Sequence, residues 1–394
     1  MLSDLQPSPA DPILQMAADF RADPRAGKLD LGVGVYRNEA GLTIIPKAVK
    51  LAEERLLAAQ DTKTYLGLLG DVEFSAAMAD LVLAESAPAE RRALIQTPGG
   101  SGALWILMSL AKLAAPDATL WIPEPGWPNH RAIAEGVGLR VRSYGCFDAE
   151  TRAVDFGAMR ADLAAAGPRD VVLLHACCHN PSGADLAAED WAALTGMALA
   201  QGFTPLVDIA YQGFGDGLAA DAAGLRHMAA RVPELLVAAS CSKNFGLYRE
   251  RTGAAMALAA TPKAAATVEA NLKTLMRISI SMPPDHGAAV VRTILGDARL
   301  RAVWEEELAQ MRARMLALRS ALAEALRART NSARFDFIAG HRGMFSLIGA
   351  DPAQVAALRE THGIYLVGDS RMNVAGLKED RIDEVAAAFC AVGL

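Results

Sequence analysis

Cysteine is scarce, and its pattern offers no pairs. Five occur in 394 residues, Cys146, Cys177, Cys178, Cys241 and Cys390, an odd count with no C-x-x-C spacing. That excludes a disulfide framework and fits reduced thiols. Positive charge is not in excess either. The net charge is −6 and the arginines are scattered, so no basic surface recommends nucleic acid, and an arginine without another role is expected on a solvated face. Long hydrophobic runs are missing as well. The longest uncharged stretch, Ala93 to Ala111, is broken by Pro98, Gly99, Gly100, Ser101 and Gly102, which reads as strand, loop and helix rather than a membrane span. Met1-Leu2-Ser3-Asp4 shows neither a basic nor an apolar leader, so the expected location is the cytoplasm, away from membranes. No internal repeat or low-complexity tract is present.

What remains is a chain 52% hydrophobic and 21% charged, enough for two or three domains with a large core. Residues 1–28 read as an extended arm and a short helix from Pro12 to Phe20, capped by Asp11. Leu29 to Tyr36 reads as a strand interrupted by glycines, without the third glycine of a dinucleotide fingerprint. From Leu94 onward short apolar strands alternate with helices. Leu94-Ile95-Gln96-Thr97 feeds a glycine-rich turn and a helix, where free N–H groups favour an anion unless the turn is merely tight. Thr119 to Ile122 ends in a loop carrying Trp127 and His130, and Trp127 suits stacking on a planar ligand or packing on the protein itself.

The strand from Asp170 runs into His175, Cys177, His179 and Asn180-Pro181-Ser182-Gly183. Alternation places His175, Cys177 and His179 on one face, which invites a metal reading, but the Asn-Pro turn ends the strand and no metal is expected. Asp208 closes another apolar strand, with Tyr211 just beyond it, and needs a cationic or hydrogen-bonded partner. The run Leu235 to Ala239 then delivers Ser240, Lys243 and Arg251. Local composition favours a plain surface lysine in a loop; partial burial would instead favour a neutral, nucleophilic one, while serine and arginine suit a phosphate. Further on, Ala298 to Arg327 reads as one long helix with an apolar stripe able to join two domains. The tail is expected to hold strands near Phe335–Ile338, Gly343–Ile348 and Ile364–Val367.

The glycine loop, Trp127, Asn180, Asp208 and Lys243 each follow an apolar strand, and in such sheets ligands bind beyond the strands' carboxyl ends. Their chemistry matches pyridoxal 5'-phosphate (PLP): an anion for the pyridinium, donors for the phenolate, a stacking ring, a phosphate cradle and a Schiff-base lysine.

The motifs Asp11-Pro12-Ile13-Leu14, Gly32 to Tyr36, Trp127 to His130, Cys177 to Pro181, Ala210 to Phe214, Ser242 to Gly246 and Arg371 to Val374 run nearly end to end. On them the chain resembles the fold-type I aminotransferases of the aspartate and aromatic branch. The resemblance implies an α/β large domain, with a mostly parallel sheet flanked by helices, plus a smaller α+β domain. It places the arm and part of the small domain at 1–45, the cofactor domain at 46–310 and the rest of the small domain at 311–394. It implies that Lys243 holds PLP as a Schiff base and shuttles a proton, that Asp208, backed by His130, pairs with the pyridinium, and that Asn180 and Tyr211 donate to the ring oxygen. Trp127 would stack on the ring. Gly100, Ser101, Ser240 and Arg251 would hold the phosphate, joined by Tyr65 of a second subunit.

The same resemblance gives Arg371, with Gly34, Trp127 and Asn180, to the amino acid or 2-oxo acid substrate. Arg277, from the second subunit, would meet a side-chain carboxylate, so the expected form is a homodimer with shared sites. Met282, Ser101 and Thr64 depart from the aspartate-restricted pattern toward a roomier, more apolar pocket, whereas Val35 and Thr43 follow it. The expected reaction is transamination with 2-oxoglutarate by a dual-specificity enzyme. An aspartate-restricted enzyme, a PLP β-lyase and a non-catalytic binder on this fold are the alternatives.

Overall fold

The computed structural model describes residues 1–6 and 11–394, which form two compact units, Ile44–Arg314 and Met1–Thr43 with Met315–Leu394. The expected extended arm falls partly on residues 7–10, outside the described residues. Its helix is α1 (Pro12–Ala22), whose first turn is capped as the sequence indicates, Asp11 Oδ1 accepting from the Ile13 and Leu14 N–H groups at 2.9 and 3.0 Å. The next strand is shorter than expected. β1 covers only Leu29–Asp30, because the Val33 and Val35 carbonyls accept from Asn373 Nδ2 instead of joining a ladder.

The larger unit opens with α2 (Lys47–Ala59) and α3 (Val72–Leu83), followed by the expected alternation. In chain order come β2 (Arg92–Pro98), α4 (Gly99–Ala114), β3 (Thr119–Glu124), α5 (Pro128–Gly136), β4 (Arg140–Gly145) and α6 (Phe156–Leu163). Then follow β5 (Val171–His175), α7 (Ala188–Gln201), β6 (Thr204–Ile209), α8 (Ala223–Ala229), β7 (Leu235–Ser240) and β8 (Thr252–Leu258). The strands make one seven-stranded sheet in the order β2-β8-β7-β6-β5-β3-β4, parallel throughout except for β8. Strands buried on both faces need continuous apolar sequence, which is why β5, β6 and β7 read as runs rather than alternations. Leu104 and Leu107 of α4 belong to one buried core with Ile95, Leu173, Leu206 and Ala238. Each such fully buried leucine contributes about 1.5–3 kcal/mol over an exposed one.

α9 (Pro262–Ser279) and α10 (His286–Gly296) lead to the long α11 (Ala298–Thr330), which crosses the unit boundary in sequence. The smaller unit continues with α12 (Phe337–Gly340), β9 (Phe345–Leu347), α13 (Pro352–His362), β10 (Ile364–Tyr365), β11 (Arg371–Asn373) and α14 (Ile382–Ala391). β1 pairs with β10 in parallel and β11 with β9 antiparallel, so this unit is α+β. Phe335–Ile338, expected as a strand, instead enters α12. Phe335 and Ile338, three apart, both reach the core formed with Leu318, Leu322 and Phe389, a spacing that one helical turn satisfies. The strands expected over Gly343–Ile348 and Ile364–Val367 shrink to β9 and β10. One arginine also departs from the solvated-face expectation. Arg319 is fully buried and donates to the Phe345 carbonyl at 2.7 Å and the Ser346 hydroxyl at 2.8 Å, fastening α11 to β9. Among the described residues no helix is long and apolar enough to cross a membrane.

Candidate active site

The reversed strand β8 builds the first part of the site. Its register pairs Thr252 with Pro98 and Gly253 with Ser240, so the residue before it, Arg251, meets the ends of β2 and β7. Gly99 takes φ +72°, and a Cβ there would stand 2.8 Å from Arg251 Nη2, while one on Gly100 would stand 3.0 Å from the Ser240 Cβ. Ser240 Oγ donates to Ser242 Oγ at 3.1 Å, and Arg251 Nη1 is steadied by the Tyr248 carbonyl at 3.0 Å. α4 begins at Gly99, with Ser101 in its first turn and no side-chain cap. An uncapped helix N-terminus beside two serines and a guanidinium has the chemistry to take an anion.

The second part lies at the ends of β3, β5 and β6. Asp208 is 7% exposed, and its Oδ2 meets His130 Nε2 at 2.9 Å. His130 is buried and packs edge-on against Trp127 and against His175, with ring centroids 5.1 and 5.2 Å apart, and His175 packs on His179 at 4.6 Å. Burial, then the neighbouring rings of His179 and His130, holds His175 well below the ordinary imidazole range, so it is neutral at physiological pH. Lys243 is half-buried, its Nζ 5.1 Å from the centre of the Tyr211 ring. The loop that carries it is anchored next door, where the Phe245 ring stacks on Trp304 of α11 at 4.4 Å and the Trp304 indole N–H donates to the Asn244 carbonyl at 2.7 Å.

Asn180 is buried after β5, followed by a cis peptide bond to Pro181. Asp185 shapes this loop by accepting from the Cys178 and His179 N–H groups at 2.7 and 2.8 Å. Neither Asp185 nor Gly99 stands out in the sequence reading, because both act through backbone groups; their only sequence signals are the turn composition after Asn180 and the glycine pair before Ser101. The His175–Cys177–His179 face is corrected in part. The two histidines do adjoin, but the Cys177 thiol lies with Cys178 and Asp221.

Two expected residues stand apart within the single chain. Tyr65 is 84% exposed and Arg277 is exposed with Ser281 Oγ at 2.6 Å from its Nη1. Neither makes a hydrogen bond, ion pair or ring contact with the Lys243 cluster among the described residues. Met282 approaches the Tyr65 loop, its Sδ 3.2 Å from the Leu66 nitrogen. In the smaller unit Arg371 is buried on β11. Its Nη2 donates to the Gly32 carbonyl at 3.1 Å, and its guanidinium lies 4.4 Å from the centre of the Phe345 ring. Gly34 adjoins the same ring, leaving 3.1 Å between a Cβ position and Phe345 Cζ.

The family described as aminotransferase class I and II matches residues 26–389. An aromatic-amino-acid aminotransferase of Paracoccus denitrificans is 50% identical over 394 residues, all of both chains. An aspartate aminotransferase of Salmonella typhi is 43% identical over 395 aligned residues, again all of both chains. A solved aromatic-amino-acid aminotransferase from Burkholderia pseudomallei, covalently bound to pyridoxal phosphate, superposes with a TM-score of 0.97 at 41% identity, covering 100% of this chain and 99% of its own.

Proposed function

The chain belongs to the class I and II aminotransferases, and from that premise we propose that it uses PLP to transfer amino groups between 2-oxoglutarate and both aromatic amino acids and aspartate. The observation that carries the reading is the single sheet edge at which Lys243, the buried Asp208–His130 pair and the Gly99–Arg251 cradle stand at neighbouring strand ends. These residues fit the cofactor. The cradle takes a dianionic phosphate, the buried carboxylate takes a protonated pyridine nitrogen, and Trp127 is half-buried with a ring face for stacking.

When bound, PLP supplies an electron sink that acidifies the substrate Cα–H. The protein supplies the rest. Asp208 keeps a proton on the pyridine nitrogen, and His130 orients that carboxylate. Asn180 and Tyr211 donate to the ring oxygen. Gly100, Ser101, Ser240 and Arg251 hold the phosphate together with Tyr65 of a second subunit. Lys243 Nζ is the tether and, once displaced by the substrate amine, takes the proton from the substrate Cα. Arg371 clamps the substrate α-carboxylate beside Gly34. The second subunit's Arg277 receives a side-chain carboxylate.

A homodimer is supported by the exposure of Tyr65, Leu66, Ile278 and Ile280, apolar or aromatic groups that a partner surface would cover. The cytoplasm suits a chain whose five cysteines form no disulfide among the described residues. Aromatic activity is supported by Met282, whose thioether lies against the Leu66 backbone where a polar side chain would hold a carboxylate-binding pocket. Purified protein is expected to show a near-visible absorbance band that shifts on adding glutamate and is lost as a lysine adduct in Lys243→Ala, which also loses transamination. Specificity is read from kcat/KM for phenylalanine and aspartate, expected within about tenfold of each other. An aspartate preference of roughly a thousandfold or more overturns the aromatic assignment.

A further inference from the structure

The segment leading into Asn180 carries a second cluster of metal-ligating side chains that the proposed transamination does not use. The thiols of Cys177 and Cys178 and the carboxylate of Asp221 lie within 4.8 Å of one another, and all three residues are more than nine-tenths buried. Asp221 Oδ2 accepts from the Gly213 and Gly215 N–H groups at 2.7 and 2.9 Å, and Oδ1 from that of Asp216 at 2.7 Å. A carboxylate accepts about four hydrogen bonds, so Oδ1 retains a lone pair. Among the described residues no lysine, arginine or histidine forms an ion pair with this carboxylate. A buried carboxylate is ordinarily matched by a cation or by a metal. The Tyr211 carbonyl adds a further oxygen, 4.0 Å from Cys178 Sγ.

We propose that Cys177, Cys178 and Asp221 form a binding site for one soft divalent cation of the zinc or cadmium type, with the Tyr211 carbonyl as fourth donor. Two sulfurs and two oxygens suit these ions, which take four ligands tetrahedrally and favour thiolate. Donor atoms on such a tetrahedron are roughly 3.5 Å apart, so the cluster closes modestly on the ion. Binding forms two metal–sulfur and two metal–oxygen bonds while both thiol protons leave to solvent, with no change of oxidation state. Harder ions such as magnesium, which prefer six oxygens, are excluded by the same donors.

The test is equilibrium dialysis of the chelator-washed full chain against cadmium, with 113Cd NMR of the loaded protein. One ion per chain is expected in the native protein and in the double variant Cys146→Ser/Cys390→Ser, whose thiols lie outside the cluster. Affinity is expected to fall at least about tenfold in Cys177→Ser and in Cys178→Ser, with far-UV circular dichroism unchanged. The 113Cd resonance is expected between those of all-oxygen and all-thiolate sites. Asp221→Asn should weaken binding too; if it does not fold, the two cysteine variants decide alone. A native chain that retains no cadmium, or a Cys177→Ser chain that retains it with undiminished affinity, overturns the proposal.

Discussion

Asp208 and His130 share one short contact of 2.9 Å inside a site nearly closed to water, and their contributions differ in kind. In the proposed mechanism Asp208 presents charge to the cofactor, whereas His130 acts through Asp208. Asp208→Asn is expected to lower kcat/KM on the order of 10²–10³-fold, the usual loss for one preorganised charge. His130→Asn, a positioning change, is expected to cost on the order of tenfold and to move the pH titration of the cofactor's absorbance band. Steady-state kinetics and spectral titration check both, and equal losses in the two variants contradict the division of roles. Residues of the first kind were legible in sequence. An aspartate closing an apolar strand is a desolvated charge, whereas Lys243 was legible only through the company of Asp208, Asn180, Trp127 and the glycine loop at other strand ends. Asp185 and Gly99 were not legible, since one grips backbone N–H groups and the other is defined by φ. Arg319 was not legible either, because a buried guanidinium depends on carbonyls supplied by distant segments.

Helices and strands followed their periodicities where these were long. The seven-stranded sheet, α4 and α11 all come from runs with a single consistent pattern. Phe335–Ile338 is short enough that spacing alone does not separate strand from helix, and tertiary packing decided it. At the start of α11, Asp297 Oδ1 accepts from the Arg299 and Leu300 N–H groups, both at 2.9 Å, while Oδ2 meets Arg55 of α2 at 2.7 Å. The Arg55 hydrogen bond, followed by the Leu300 N–H, lowers the Asp297 carboxyl to about 2. A depressed folded-state pKa gives stability that is present above the ordinary carboxyl value and lost as pH falls through the folded one. Asp297→Asn is therefore expected to melt below the native protein at pH 6. The gap should narrow between roughly pH 4 and pH 2. Thermal melts across that range check it, and a gap that does not change with pH removes the ionic component.

At the scale of the whole protein, the proposed homodimer accounts for the exposure of Tyr65 and Arg277, which would complete the second copy's site. Mixing refolded Lys243→Ala chains with Arg277→Ala chains tests this with a dicarboxylic substrate. In a random mixture half the dimers are hybrids, each with one doubly defective and one intact site, so activity should recover to about a quarter of native. No recovery contradicts shared sites. The reversed strand β8 has a consequence for how the molecule comes into being. Its partners in β2 are roughly 160 residues earlier in the chain, and contacts that distant are slow to form. Arg251 cannot join Gly99 until that pairing is made, so a nascent chain that has not yet completed β8 would hold only half of the proposed phosphate cradle. With that proposed site, capture of the cofactor's phosphate would wait for the paired sheet and then stabilise it by mass action.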